Sequence, residues 1–522
     1  MIEKKYPAHK IITAIIGICV LIMGIILFFI PPAVFPDPGM GFQVLRSMHL
    51  GGAFNTFSGP DQSDISQNYT EFLTWWSPGQ YLVPYFFKLI AGLNMGQGIA
   101  VATVIAQLSG LAGFYCFFKK IGFTPLIAAL SLVFIICQQA FVVPYVFYNG
   151  GEVLLFAFEG WFLYGCISLE KTDLKLILLI LFSGWTGFFF KSSFLWIYVA
   201  GLCCLWVRLS SDAGKWVKNA LWLGIPAVIS LTTVYVFFLS KGTSPASVSS
   251  GVKLTLQTFG FPLASPVLSA FSIDDMLNGL IYHTGKPVFN PGWSIIILAA
   301  LALLSLCLIF SINRVVQNRN YKLFLMVFYV GAILFFGVSY LKQLNISFEA
   351  RHFRILGLLI VPGVISLVMG FKPVYKFVFA LFFAGIAYTS FSYLVKGYEI
   401  NGAGARGVSG IAQPNIDQQS LNYIMKLDKE NNNATFVFIS DDLGLEILHN
   451  RIITLQPIGD DLKINIDDYR YDGFAGPLYI VLPESYNGPK EKMIMKSFPG
   501  YTGFNLSMLS PNYVLYSAKM KR

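Results

Sequence analysis

Blocks of mostly apolar residues, about 17–22 long, recur along the first three quarters of the chain and then stop. A helix rising 1.5 Å per residue crosses about 30 Å of hydrocarbon in that length. The pattern predicts about eleven transmembrane helices, near 11–30, 97–118, 124–144, 151–169, 174–190, 193–207, 219–239, 293–311, 323–341, 355–370 and 377–394. The tail changes period. Strand-length apolar runs at 435–439 and 478–482 lie between turn residues, with a helical segment at 418–429 before the first. The expected fold class is an all-α polytopic membrane domain, 1–394, followed by a small soluble α/β domain, 395–522. Gly402-Ala403-Gly404-Ala405 reads as the linker.

Loop charges orient the helices. With the N-terminus inside, the inner loops carry Lys119/Lys120, Lys171/Lys175, Arg208/Lys215/Lys218, Arg314/Arg319/Lys322 and Lys372/Lys376. Every inner loop is basic, so the tail is expected outside. Lys4, Lys5 and Lys10 precede the first block, and Pro31-Pro32 follows it in place of a small-x-small cleavage site, which predicts a retained helix. Between the first two spans, 41–50 and 82–93 are apolar but short, and both read as interfacial helices. The stretch 240–292 reads as a second outer loop.

Composition agrees with a membrane protein. The chain is 55% hydrophobic and only 12% charged over 522 residues, with a mean hydropathy of +0.63. Its formal charge of +10 does not imply nucleic-acid binding, because the cations sit in the short loops. The seven cysteines lie in or beside apolar blocks without His or acidic neighbours at metal spacing, and read as packing residues.

A few charged residues stand where topology does not require them. Asp37 follows the first span in Pro36-Asp37-Pro38-Gly39, and His49 closes the segment after it. An acid at the membrane boundary is placed to take a proton from an acceptor hydroxyl, although Asp beside Pro-Gly is also ordinary turn chemistry. Glu152 opens the fourth span. Lys191 lies between two apolar blocks, in Gly187-Phe188-Phe189-Phe190-Lys191. A charge at membrane depth usually faces a polar cavity, although a lysine can snorkel. Glu349-Ala350-Arg351-His352-Phe353-Arg354 places two arginines on an outward loop, against the inside bias. The planar guanidinium fork suits a phosphate; the alternative is a collar for lipid headgroups.

In this order the motifs resemble the C-type membrane glycosyltransferases (GT-C fold), the group of aminoarabinose transferases and protein O-mannosyltransferases. The resembling features are Asp37 after the first span, the Gly51-Gly52-Ala53-Phe54 turn and Trp76-Ser77-Pro78-Gly79-Gln80-Tyr81. They continue with Glu152, Gly184 or Gly187 before Lys191, and Glu349-Ala350-Arg351-His352. The chain departs from the pattern in having a single acid at 37, Glu152 where Asp is commoner and His352 where Tyr is usual. The resemblance implies transfer of a sugar from a polyprenyl-phosphate donor on the outer face, with inversion. Asp37 would be the base, Lys191, Arg351 and Arg354 the phosphate site, and Glu152, Glu349, His352 and His49 acceptor or supporting groups. No cofactor is required; a divalent cation on Asp37 and Glu152 is the one metal possibility. The acceptor stays open. Partners other than donor, acceptor and membrane lipid are not implied. A transporter or flippase is the alternative, but it would show inverted repeats and mid-bilayer charges, and no repeat is present. A non-catalytic scaffold needs none of these charges.

Overall fold

The computed structural model describes residues 7–210, 212–242, 244, 248–273, 292–439, 441–455, 458 and 475–520. The chain forms two compact units. One comprises Met1–Ile25, Thr103–Tyr145 and Gly151–Val395; the other comprises Ile26–Ala102, Val146–Gly150 and Lys396–Arg522. The unit holding the tail therefore also holds the first outer loop.

In chain order the early helices are α1 (Ala8–Phe29), α2 (Pro36–His49), α3 (Gly79–Ala91), α4 (Met95–Lys120), α5 (Pro125–Ile136) and α6 (Gln139–Val142). Next come α7 (Gly151–Ser168), α8 (Leu174–Phe190), α9 (Phe194–Leu209), α10 (Trp216–Phe237), α11 (Leu256–Phe271) and α12 (Trp293–Val315). Then follow α13 (Arg319–Leu341), α14 (Arg354–Met369), α15 (Pro373–Ala403), α16 (Gln418–Glu430) and α17 (Pro489–Lys496). Among the described residues, eight helices are long and apolar enough to cross a membrane, and a ninth counts if the bent pair at 125–145 is one span. α8 and α9 are apolar but shorter, at 17 and 16 residues. The protein is an integral membrane protein, and each segment read as a span from the sequence is helical.

Two features of the first unit differ from the sequence reading. The block at 124–144 is broken, with a bend of 73° between Ile136 and Gln139. Gln138 is buried at the break, and its amide donates to the Ala270 carbonyl at 2.8 Å. A polar side chain in an apolar block found its partner on another helix. That helix, α11, is the second difference. It lies in the stretch read as an outer loop, and it carries Pro262 and Pro266, which ordinarily break a helix. Pro266 has no N–H for the Pro262 carbonyl, and Ser265 Oγ donates to that carbonyl at 2.6 Å. The Tyr329 hydroxyl serves the Leu263 carbonyl, and Val267 N–H donates to Ser305 Oγ. Neighbouring side chains thus restore what the prolines remove.

The second unit is built on a five-stranded sheet in the order β10 (Tyr501–Met508), β11 (Tyr513–Met520), β9 (Leu478–Pro483), β7 (Thr435–Phe438), β8 (Arg451–Thr454). β7 pairs in parallel with β8 and β9, and the remaining pairings are antiparallel. Val437, Ile480 and Val514 pack on one face with Ile494 of α17; Phe436, Phe438 and Val481 pack on the other with Leu421 and Ile424 of α16. Covering both faces buries all of β7, which is why its sequence reads as a continuous apolar run. Earlier in the chain, β1 (Ala33–Val34) pairs in parallel with β4 (Phe147–Tyr148), and β2 (Thr56–Pro60) forms a hairpin with β3 (Asn68–Phe72). β5 (Ala405–Arg406) and β6 (Ala412–Gln413) form a short ladder directly after α15, where the sequence reads as a linker.

α2 is fixed to the sheet side of this unit by Arg46. The guanidinium is buried and donates to the carbonyls of Ile447 and Asn450. Burial pushes its pKa down to about 10, against the pull of Asp428. Asp428 in turn accepts from the N–H groups of Leu448, His449 and Asn450. α3 keeps Phe86, Leu89 and Ile90 exposed, an apolar face suited to a membrane interface.

Candidate functional site

The first unit gathers the charged residues of three separate sequence regions. Lys191 ends α8 with extended backbone (φ −158°, ψ 131°), its N–H still bonded to the Gly187 carbonyl. The glycines before it are packing requirements. A Cβ at Gly187 would lie 2.0 Å from the Phe194 ring, and one at Gly184 would lie 2.1 Å from Ser230 Oγ. They let α9 and α10 close against α8. A Cβ at Gly151 would press on Lys191 itself, at 3.1 Å, so the start of α7 admits the lysine stem.

Lys191 Nζ forms an ion pair with Glu152 Oε1, in the first turn of α7. Arg351 Nη1 reaches the same oxygen at 3.5 Å, and Arg351 Nε lies 2.5 Å from Glu349. The Glu152 side chain is only 14% exposed. His352 Nε2 is 3.2 Å from Ser347 Oγ, and its ring packs near Phe336. Arg354, the first residue of α14, lies over the Phe156 ring at 5.3 Å. Glu152, Lys191, Arg351, His352 and Arg354, with Phe156, Glu159, Ser193 and apolar neighbours, line a cavity of about 20 Å³; Glu349 lies outside that lining. That volume holds roughly one water and no phosphate. Lys191 and Arg351 share Glu152, and Arg351 also pairs with Glu349, so these two cations are already countered within the cluster.

Six candidates, Glu152, Lys191, Glu349, Arg351, His352 and Arg354, therefore come together. Asp37 and His49 belong to the other unit. Asp37 is half-buried in the first turn of α2, where a carboxylate complements the helix N-terminus. His49 Nε2 is 2.9 Å from the Tyr85 hydroxyl and ties the end of α2 to α3; partial burial and then Lys88 lower its pKa. Among the described residues no three His, Cys, Asp or Glu side chains converge as metal ligands. A divalent cation at Glu152 would have to displace both Lys191 and Arg351.

No family model and no curated protein matches the chain. Among solved structures, arabinofuranosyltransferase AftD from Mycobacteria matches with a TM-score of 0.53 at 12% identity over 97% of this chain. The chain spans 40% of that protein's length. The chain shares the fold of that arabinofuranosyltransferase. ArnT from Cupriavidus metallidurans bound to undecaprenyl phosphate matches with a TM-score of 0.44 (12% identity, 97% of each chain). AglB from Archaeoglobus fulgidus, in complex with an inhibitory peptide and a dolichol-phosphate, gives 0.48 (12% identity, 97% of this chain and 74% of that one).

Within this fold, sequence reasoning missed Glu159. It is 3% exposed on α7, on the same face as Glu152 and Phe156, at i, i+4 and i+7. The signal was present. A carboxylate midway along an apolar span is rare, and its spacing from Glu152 places both on one stripe.

Proposed function

We propose that the chain is a membrane glycosyltransferase that moves a hexosyl or pentosyl group from a polyprenyl-phosphate donor to an acceptor hydroxyl. The acceptor oxygen forms the new bond to the anomeric carbon while the bond from that carbon to the phosphate oxygen breaks. The configuration inverts, the acceptor proton passes to Asp37, and the lipid phosphate leaves with the bonding pair. The observation that carries the reading is the convergence of Lys191 and Arg351 on Glu152 beside Arg354. Fixed cations of this kind are worth most where charge develops in the reaction, here on the departing phosphate. A fold shared with an arabinofuranosyltransferase supports sugar transfer. The basic inner loops support a cytoplasmic-membrane orientation with the N-terminus inside and residues 395–522 outside.

The test uses transfer of radiolabelled sugar from a polyprenyl-phosphate donor, normalised to folded protein. Arg351→Lys keeps the charge but loses the fork; Arg351→Ala loses both. Strong impairment of the first and near-inactivity of the second are expected, with unchanged membrane insertion. Transfer by Arg351→Ala at the wild-type rate removes Arg351 from the phosphate site. Substrate flux without a new glycosidic product identifies a transporter.

A further inference from the structure

The first unit holds a second polar cavity, at the other end of α7 from Glu152. Its volume is about 470 Å³, and its polar lining is Lys120, Glu170, Arg208, Lys215 and Asn320. These residues stand at the ends of α4, α7 and α9 and at the starts of α10 and α13. Ile167, also in the lining, lies about 22 Å along α7 from Glu152. Arg208 is fixed there by two hydrogen bonds. Its Nη1 donates to the Cys166 carbonyl and its Nη2 to the Leu169 carbonyl, both at the C-terminal end of α7. A guanidinium has five N–H groups, so donors remain for a ligand. Among the described residues Lys120 and Arg208 form no ion pair, and Lys215 pairs with Asp212 at 2.7 Å, both exposed. Glu170 is the one carboxylate in the described lining. Cations that only set topology need neither a cavity nor an arginine held in one geometry.

The neighbours of this cavity mark its depth. The rings of Trp206 and Trp216 pack edge to face at 4.8 Å, and Trp206 Nε1 donates to the Trp216 carbonyl at 3.0 Å. Tryptophan concentrates at the level of lipid headgroups, and these two flank Arg208 and Lys215 in the chain. The adjoining ends of α8 and α10 leave Leu174, Leu178, Val217 and Leu221 exposed, an apolar face suited to acyl chains. We propose that the cavity binds the phosphate of an anionic lipid in the leaflet on the basic-loop side, with its acyl chains along α8 and α10. A fixed arginine and two lysines match a phosphate oxyanion, and basic pockets between helix ends are where such headgroups bind. A soluble phosphate shares that chemistry, but the tryptophans and the apolar helix ends beside the cavity favour the lipid. The site is separate from the proposed transfer chemistry and does not depend on it.

The experiment titrates phosphatidylglycerol into the detergent-solubilised full chain and reads hydrogen exchange at 119–123 and 166–170. Phosphatidylglycerol should slow exchange at both segments, and zwitterionic phosphatidylcholine should not. The midpoint of that protection gives the affinity. A cation near an anionic lipid surface is worth about fivefold. Lys120→Gln combined with Lys215→Gln, at two exposed positions, should therefore raise the midpoint about ten- to thirtyfold. Glu170→Gln removes the competing carboxylate and should lower it about fivefold. Lys372→Gln combined with Lys376→Gln takes the same charge from another basic loop and should leave the midpoint within about twofold. Equal weakening by the two lysine pairs would show diffuse attraction to the surface and overturn the site. Absent protection, or equal protection by phosphatidylcholine, also overturns it. Inorganic phosphate separates the two sources: at the concentration of phosphatidylglycerol that protects fully, it should protect little. Equal protection by inorganic phosphate assigns the cations to a soluble phosphate and defeats the lipid assignment.

Discussion

Arg46 offers the sharpest test of how the second unit holds α2, and with α2 the proposed base. Its guanidinium makes two charge-assisted bonds, to the Ile447 and Asn450 carbonyls, from a site that is 7% exposed. Each such bond contributes about 1.5–3 kcal/mol, and a buried carbonyl left without a donor costs about 1–3 kcal/mol. Arg46→Met fills much of the same volume but strands both carbonyls, so the expected loss is about 3–5 kcal/mol. That is a large part of a domain's total of about 5–15 kcal/mol. Arg46→Lys reaches one carbonyl and should lose about half as much. Hydrogen exchange by mass spectrometry reads the effect locally. Amides of α2 and of 447–450 in Arg46→Met should exchange at least a hundredfold faster, since 1.4 kcal/mol is a factor of ten. The strands β9 and β11 should change less. Asp37 lies nine residues before Arg46 on the same helix, so sugar transfer should fall although Arg46 touches no substrate. Exchange within threefold of wild type at both segments would refute the anchoring argument.

Three further outcomes are expected. Asp37→Asn should cut turnover by about 10²–10⁴-fold with lipid-phosphate binding unchanged, as for loss of a general base; wild-type turnover in the folded variant removes it from that role. Glu446 is buried and accepts from Ser409, and burial raises its carboxyl pKa above the ordinary value. A carboxyl that binds its proton more tightly when folded makes stability fall as pH rises from its ordinary pKa through its raised one. Glu446→Gln should flatten the melting temperature of the second unit across that window, and an unchanged pH slope rejects the assignment. A reporter fused after Arg522 should be active only in its extracytoplasmic form; cytoplasmic activity reverses the proposed orientation.

The sequence was most legible where a pattern depends on the solvent. Lipid demands long apolar helices, so the spans were visible as blocks, and the sheet covered on both faces showed as the unbroken run at 435–438. It was least legible where a local signal is answered by a distant partner. Pro262 and Pro266 argue locally against a helix, and Ser305 and Tyr329, on other helices, join Ser265 in reversing that argument. Gln138 sits at the break in the span at 124–144, and its partner, the Ala270 carbonyl, lies on another helix. Nothing local marks Arg46, because its two acceptors lie about four hundred residues further on.

The candidate site follows the same logic, with one difference. Glu152, Lys191 and Glu349 to Arg354 were found because charge at the edge of an apolar block is costly enough to need a reason, and the reason turned out to be mutual. Lys191 and Arg351 share Glu152, and Arg351 also pairs with Glu349. That mutual neutralisation also explains why the order and spacing of the motifs carried more information than any one of them, since a lone Lys191 has the bland reading of a snorkelling lysine. Glu159 was overlooked because attention to motifs favours helix ends. Yet cost rises with depth, so the carboxylate nearest the middle of a span is the one whose presence most needs explaining. Ranking ionisable residues by depth along the predicted span, and then asking which share a stripe with a charge already singled out, selects Glu159 from the sequence before any coordinates are consulted.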